Sequence, residues 1–316
     1  MDFAEWIKTD DALGHYTSLE SAFKILQSHS FRFSFVSEAL DPSERALGHF
    51  YFGESSNSRE NVKTRHSVPE AIDALQTTLK QYSDNSQIAC FCQGLFKKYP
   101  WHTDCIKTCF ANYHMWEQYG FKFFGVCLLF SKAELINSLI KSKVVYKTGS
   151  VEYKANLRSR FDRLRINIDS YYESADKKEY LDDCKNRFDN DLLGKDSDYE
   201  PEREFRLLIH SDEQFYLDIR NAIKGIAFFY EYDRKQLTQI VKNSMRFLGL
   251  EISEQSVARY SESFEEKVNK EHSSLCLLAN EMQLSVLRLF SDETGIKYWL
   301  PETWQALRDV DFAKEA

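Results

Sequence analysis

The sequence predicts an α+β fold on three grounds. Short apolar runs of strand length occur at 88–92, 123–130, 204–210 and 223–230, segments of helical apolar spacing lie between them, and the two kinds follow no regular alternation. A chain of 316 residues that is 43% hydrophobic and 15% aromatic can bury one large core or one and a half smaller ones. Five prolines and eleven glycines leave little material for a long flexible linker. The expected division is a main domain over 1–250 and a helical, acidic C-terminal extension over 251–316 packed on it.

Residues 13–16 read as the end of a short strand, and Ser18 caps a helix over 19–26. Strict alternation in Phe31-Arg32-Phe33-Ser34-Phe35 predicts a strand with its rings on one face, closed by a turn at Asp41-Pro42. Residues 54–68 are polar and read as a loop, and 68–82 as an amphipathic helix with Pro69 near its first turn. Ile88-Ala89-Cys90-Phe91-Cys92 is too short for a stable helix and long enough for a buried strand. Tyr113 and Trp116 stand at helical spacing in 110–119, and Gly120 can close that helix. A strand over 123–130, a helix over 131–140 and a strand at Val144-Val145-Tyr146 follow. Residues 152–188 read as one long charged helix with room for a break. Strands at 204–210 and 223–230 and a helix over 233–248 complete the main domain. The remainder reads as mostly helical, with Tyr298, Trp299 and Trp304 around Pro301.

A formal charge of −8 gives the molecule no global attraction for nucleic acid, so any polyanion site has to be local. One stretch qualifies. Residues 141–165 hold eight basic and two acidic residues, a net of +6, whereas 166–204 hold six basic and thirteen acidic, a net of −7. Lys143, Lys147, Lys154 and Arg158, interleaved with Tyr146, Tyr153 and Phe161, are therefore candidate acceptor-binding residues, although a solvated helix face carries the same pattern. No run of about twenty apolar residues occurs, and Met1-Asp2-Phe3-Ala4-Glu5-Trp6 lacks the basic and apolar regions of a signal peptide, so a cytoplasmic protein with no membrane partner is expected. Seven cysteines without a regular framework fit reduced thiols. Cys90 and Cys92, with His102, Cys105 and Cys109, invite a zinc reading. Alternation along a strand sends the first two sulfurs to opposite faces, so no metal is expected.

Three short motifs carry the candidate chemistry: His15-Tyr16-Thr17, Tyr113-His114-Met115-Trp116 with Tyr119, and Glu202-Arg203-Glu204-Phe205-Arg206. They supply an imidazole beside hydroxyls, an aromatic platform and a carboxylate pair, the minimal kit for holding a nicotinamide ribose and breaking its glycosidic bond. Each has a structural alternative: a histidine bonded to backbone, an aromatic stripe in the core, a solvent-facing strand. Glu202 and Glu204 share a face if both lie in the strand, and burial of such a pair either raises one pKa or requires nearby cations such as Arg203 and Arg206.

The ordered set of His15-Tyr16-Thr17-Ser18-Leu19, Phe31-Arg32-Phe33-Ser34, Asp41-Pro42-Ser43-Glu44, Cys90-Phe91, Met115-Trp116 with Tyr119, Gly125-Val126-Cys127 and Glu202-Arg203-Glu204-Phe205-Arg206 resembles a widespread bacterial domain family of unknown function. The resemblance spans about residues 13–245. That family is similar to a divergent branch of the ADP-ribosyltransferase fold, which implies a split mixed β-sheet with inserted helices and NAD as co-substrate. It implies that Glu204 is catalytic with Glu202 as its helper, and that His15, Tyr16, Thr17, Arg32, Ser34, Tyr113, Trp116 and Tyr119 form the cofactor-binding set, one tyrosine stacking on nicotinamide. Where the family often has Asn-Asp-Pro and Cys-Phe-Ser, this chain has Leu40 and Cys92, and these two are left out of the site.

Mono-ADP-ribosylation by an intracellular toxin is the activity implied, with nucleic acid, preferably RNA, as acceptor and an antitoxin protein as partner. A protein acceptor and NAD hydrolysis by water are the enzymatic alternatives. A nucleotide-sensing or scaffold module of a defence complex, without turnover, is the alternative of another class.

Overall fold

The computed structural model describes residues 1–39, 51–53, 69–98, 103–154, 165–229, 234–247, 252–292 and 295–299. In the first half of the chain the elements are α1 (Phe3–Trp6), β1 (Ala12–Thr17), α2 (Leu19–Ser28), β2 (Ser30–Arg32), β3 (Ser34–Phe35), β4 (Tyr51–Gly53), α3 (Pro69–Asp84), β5 (Ser86–Gln93), β6 (Leu95–Lys98), β7 (Thr103–Lys107), α4 (Tyr113–Gln118), β8 (Val126–Ser131), α5 (Lys132–Ser142) and β9 (Tyr146–Ser150). Then come β10 (Glu152–Lys154), β11 (Arg165–Asn167), α6 (Ile168–Glu173), α7 (Lys177–Leu192), β12 (Gly194–Asp196), β13 (Glu204–His210), β14 (Tyr216–Asp218), β15 (Ile223–Phe229), α8 (Arg234–Phe247), α9 (Glu254–Glu281), β16 (Ser285–Asp292) and β17 (Gly295–Trp299). The fold is mixed α and β, with a mixed sheet and several helices, as the sequence predicts. The chain forms two compact units, neither of them continuous in sequence. One comprises Met1–Ser30, Phe91–Ser138 and Asp218–Ala316, the other Phe31–Cys90 and Leu139–Leu217. Neither ends at residue 250.

In the first unit the strand order is β17-β16-β15-β8-β1, and the last two residues of β5 pair with β1 at Leu13↔Gln93 and Gly14↔Cys92. β1 runs antiparallel to β8, β8 antiparallel to β15, β15 parallel to β16, and β16 antiparallel to β17. β8 is buried at all six positions, so its unbroken apolar run is that of a central strand. Gly14 is required where β1 passes the core: a Cβ there would lie 2.8 Å from Cys127 Sγ and 3.1 Å from the Cys109 carbonyl oxygen. The Asp11 carboxylate fastens the start of α5, accepting from Trp6 Nε1, Ser131 Oγ and the Ala133 N–H, each at 2.8 Å. Ser131 Oγ in turn accepts the Glu134 N–H.

Helix α9 lays its apolar stripe, including Val268, Leu275 and Ala279, into the same unit. Its His272 is buried, stacked on Phe228 at 4.5 Å, and burial lowers its pKa to about 4. Between that value and the ordinary 6.5 only the unfolded chain takes up the proton. Stability from this site is therefore complete above pH 6.5 and lost as the pH falls toward 4, up to about 3 kcal/mol. Urea denaturation of the native chain and of His272→Leu across that range checks this: the variant loses that part of the pH dependence.

The second unit contains β3, the first five residues of β5, β9 and β13 in one ladder, with β13 between β5 and β9. Phe205↔Ser150 to Ile209↔Tyr146 set the antiparallel register of β13 on β9. β10 pairs parallel with β12, placing Tyr153 opposite Lys195. At the far end of β13, His210 stacks on Tyr82 at 3.9 Å, and Asp189 accepts from the Tyr82 hydroxyl at 3.0 Å and faces His210 Nε2 at 3.1 Å.

Several expectations need correction. The predicted strand over 31–35 is broken into β2 and β3, because Phe33 between them is fully buried and its N–H donates to the Phe215 carbonyl. Among the described residues of 152–188, Glu152–Lys154 and Arg165–Asn167 are strands and helix is present at α6 and α7; the low apolar content of this charged stretch left its short ladder pairings invisible to periodicity. The segment over 251–316 is not simply helical: after α9 it supplies β16 and β17, with β16 pairing directly on β15. The expected turn at Asp41-Pro42 and loop over 54–68 lie outside the described residues, as do Leu40, Arg158, Pro301 and Trp304.

Candidate functional site

Two carboxylates and two cations meet, all four buried, in the second unit, and local chain geometry explains how. After β12, the Asp196 side chain accepts the Asp198 N–H and starts a 3-10 turn over Ser197–Glu202. The turn closes at Arg203, whose left-handed backbone (φ 50°) reverses the chain into β13. Glu202 therefore ends a turn and Glu204 begins a strand. The two converge through that reversal, not through the strand alternation expected from their spacing.

Glu202 is 1% exposed, Glu204 6%, Lys195 3% and Arg206 1%. Lys195 Nζ lies 2.5 Å from Glu202 Oε2 and 3.7 Å from Glu204 Oε2. Arg206, two residues along β13 and so on the same face as Glu204, donates from Nε at 3.0 Å and Nη2 at 2.6 Å to Glu204 Oε2. Its Nη1 donates to the Leu192 carbonyl at the end of α7, 2.7 Å away. The Glu204 N–H donates to the Tyr153 hydroxyl at 2.8 Å, and its carbonyl accepts the Val151 N–H at 2.9 Å. Lys195 also lies over the Tyr199 ring at 4.5 Å.

The charges balance, two against two. Burial alone pushes the Glu204 carboxyl up, but Arg206 and Lys195, with a hydrogen bond from Cys90, outweigh it and hold it below its ordinary value. Glu204 is thus a fixed, water-shielded carboxylate at neutral pH. Tyr153 is pushed above the ordinary phenol range, first by burial and then by the neighbouring carboxylates, and stays a neutral phenol. Of the cations expected for the glutamate pair, Arg206 is in place. Lys195, the other, is the residue that sequence reasoning missed; its only signal is that it is the one basic residue within 188–202.

The first unit holds the histidine and the aromatic motif. Along β1, His15 and Thr17 share one face and are partly buried, and the His15 ring meets Phe91 edge-on at 5.9 Å. Tyr16 faces the other way and is a correction to the cofactor-binding set: it is buried in the core, its hydroxyl donates to the Cys109 carbonyl at 2.9 Å, and Trp116 packs edge-on to it at 5.0 Å. Trp116 is a second correction, with 0% exposure and its indole N–H donating to the Phe110 carbonyl at 2.8 Å. Neither presents a surface to a ligand. Tyr113 and Tyr119, on α4 and at its end, are 52% and 37% exposed, and the Tyr113 ring lies 4.8 Å from that of Phe123.

In the second unit, Arg32 is exposed and ion-paired with Glu38 at 3.2 Å, and Ser34 sits opposite Ile88 in the β3–β5 pairing. Among the described residues of the basic stretch, two lysines are already engaged. Lys147 donates to Asn190 at 2.7 Å, Lys154 pairs with Glu152 at 2.6 Å, and Tyr153 turns its hydroxyl toward Glu204. Lys143, just after α5, is exposed.

As alternation requires, Cys90 packs with Val36, Ile88 and Leu208, and Cys92 with Tyr16 and Cys109. Among the described residues no group of three His, Cys, Asp or Glu side chains could hold a metal ion, and no helix is long and apolar enough to cross a membrane. A groove between α8 and α9, floored by Leu237, Val257 and Ala258 and edged by Glu254, Glu262 and Glu265, contains none of the residues expected to touch NAD.

No curated protein and no solved structure matches the chain. Residues 115–207, less than a third of the chain, match the model of a family described as "Protein of unknown function (DUF2971)", and that segment contains all four members of the ion cluster.

Proposed function

We propose that the protein is an NAD-dependent mono-ADP-ribosyltransferase that uses Glu204 as its catalytic carboxylate. The observation that carries this reading is the ionised, buried state of Glu204, held by Arg206 and Lys195. Stability alone does not call for four buried charges, since apolar residues of similar volume generally serve as well. A fixed carboxylate in a water-poor setting is what an oxocarbenium-like transition state requires. The bond between nicotinamide nitrogen and ribose C1′ breaks, nicotinamide leaves with the electron pair, and positive charge develops on the ribose beside the carboxylate. The acceptor nucleophile then bonds to C1′ and gives up its proton.

By the resemblance of its motifs to the toxin component of the CmdTAC toxin–antitoxin–chaperone defence system, we propose phage defence as the setting of the reaction and an antitoxin as partner. RNA is the acceptor we favour. The test is incubation of the purified protein with NAD labelled in its adenylate, together with RNA, DNA or cell extract. Label in nuclease-sensitive material is expected. Protease-sensitive label would move the acceptor to protein, free ADP-ribose alone would make the enzyme a hydrolase, and intact NAD in every mixture would overturn the proposal.

A further inference from the structure

Glu202 has the position of a helper carboxylate, yet its charge is already matched. Its Oε2 lies 2.5 Å from Lys195 Nζ, and the two side chains are 1% and 4% exposed. From this geometry we infer that Lys195 is a positioning residue for Glu204, and that Glu202 is present to neutralise Lys195 and makes no contact with the acceptor. The inference rests on the proposed role of Glu204. With Arg206 as sole cation the two carboxylates carry a net charge of −1 in a dry site, and such a pair takes up a proton at higher pH than an isolated carboxylate does. Lys195, 3.7 Å from Glu204, supplies the missing charge. Removing Lys195 and the charge of Glu202 together leaves Glu204 and Arg206 as a balanced pair.

Tyr153, Tyr199 and Cys90, which touch the cluster, bring no positive charge to it. Tyr153 stays a phenol and accepts the Glu204 N–H, Tyr199 offers its ring face to Lys195, and Cys90 donates to Glu204. Arg206 is bound to Glu204 twice and to the Leu192 carbonyl.

The experiment compares the native chain, Lys195→Met and the double variant Lys195→Met with Glu202→Gln. It measures NAD turnover as a function of pH and the urea midpoint at neutral pH. The single variant is expected to lose about tenfold or more in turnover at neutral pH, with the acid limb of its profile displaced upward by about one pH unit. The double variant is expected to recover both the limb and the midpoint. A double variant that regains its midpoint but stays as inactive as the single one would overturn the inference, because Glu202 would then be acting on substrate. A double variant no more stable than the single one would overturn the charge pairing itself. Absence of turnover in all three, with the native midpoint intact, would instead overturn the role of Glu204 on which the inference stands.

Discussion

Glu204→Gln is expected to reduce NAD turnover by roughly 10²–10³-fold or more while leaving a folded protein. The substitution is nearly isosteric. Its amide oxygen can still accept from Arg206 Nε and Nη2, which lie 3.0 and 2.6 Å from Oε2, so the packing of β13 is preserved. What it removes is the negative charge that Arg206 and Lys195 hold in place. Charge developing on the ribose would then face an uncharged amide with two cations nearby, the reverse of what the transition state needs. Turnover measured beside a urea denaturation curve separates lost chemistry from lost fold. A sensor or scaffold without turnover predicts a different result, with the biological effect of the protein unchanged in Glu204→Gln.

Arg206→Met is expected to destabilise the protein by about 3–5 kcal/mol, the usual cost of leaving one partner of a buried ion pair without the other. Arg206 is 1% exposed and satisfies both Glu204 and the last carbonyl of α7, so its loss strands two buried acceptors at once. Lys195 limits the damage but stands 3.7 Å from Glu204 and is already bound to Glu202. Arg206→Lys should lose less, keeping the charge but not the fork that reaches Glu204 and Leu192 together. Urea unfolding at neutral pH measures both variants. A loss below about 1 kcal/mol for Arg206→Met would mean that the pair behaves as a solvated surface bridge.

Features written in local chemistry were legible in the sequence. Ser18 accepts the Ser21 N–H at the start of α2, the apolar run expected from 223 supplies β15, and the periodic segment expected from 233 supplies α8. Where identity depends on a distant partner, the sequence was silent. β16 and β17 are half-buried strands placed after a 28-residue helix, and what makes β16 a strand is the neighbouring edge of β15. The same limit governs the site. Arg206 could be named because it lies two residues from Glu204 on one strand face, whereas Lys195 reaches the cluster through β12 and a left-handed turn that no spacing rule encodes. Tyr16 and Trp116 could be read as core or as platform from spacing alone. Their burial and hydrogen bonds assign them to the core.

Release of nicotinamide from NAD by the purified protein, native against Glu204→Gln, tests the central claim most directly, because it precedes any choice of acceptor. The account predicts nicotinamide release that depends on the native carboxylate and falls by roughly two to three orders of magnitude in the variant. Release at equal rates from both proteins, or no release from the native protein with RNA, DNA and cell extract each supplied, would contradict it.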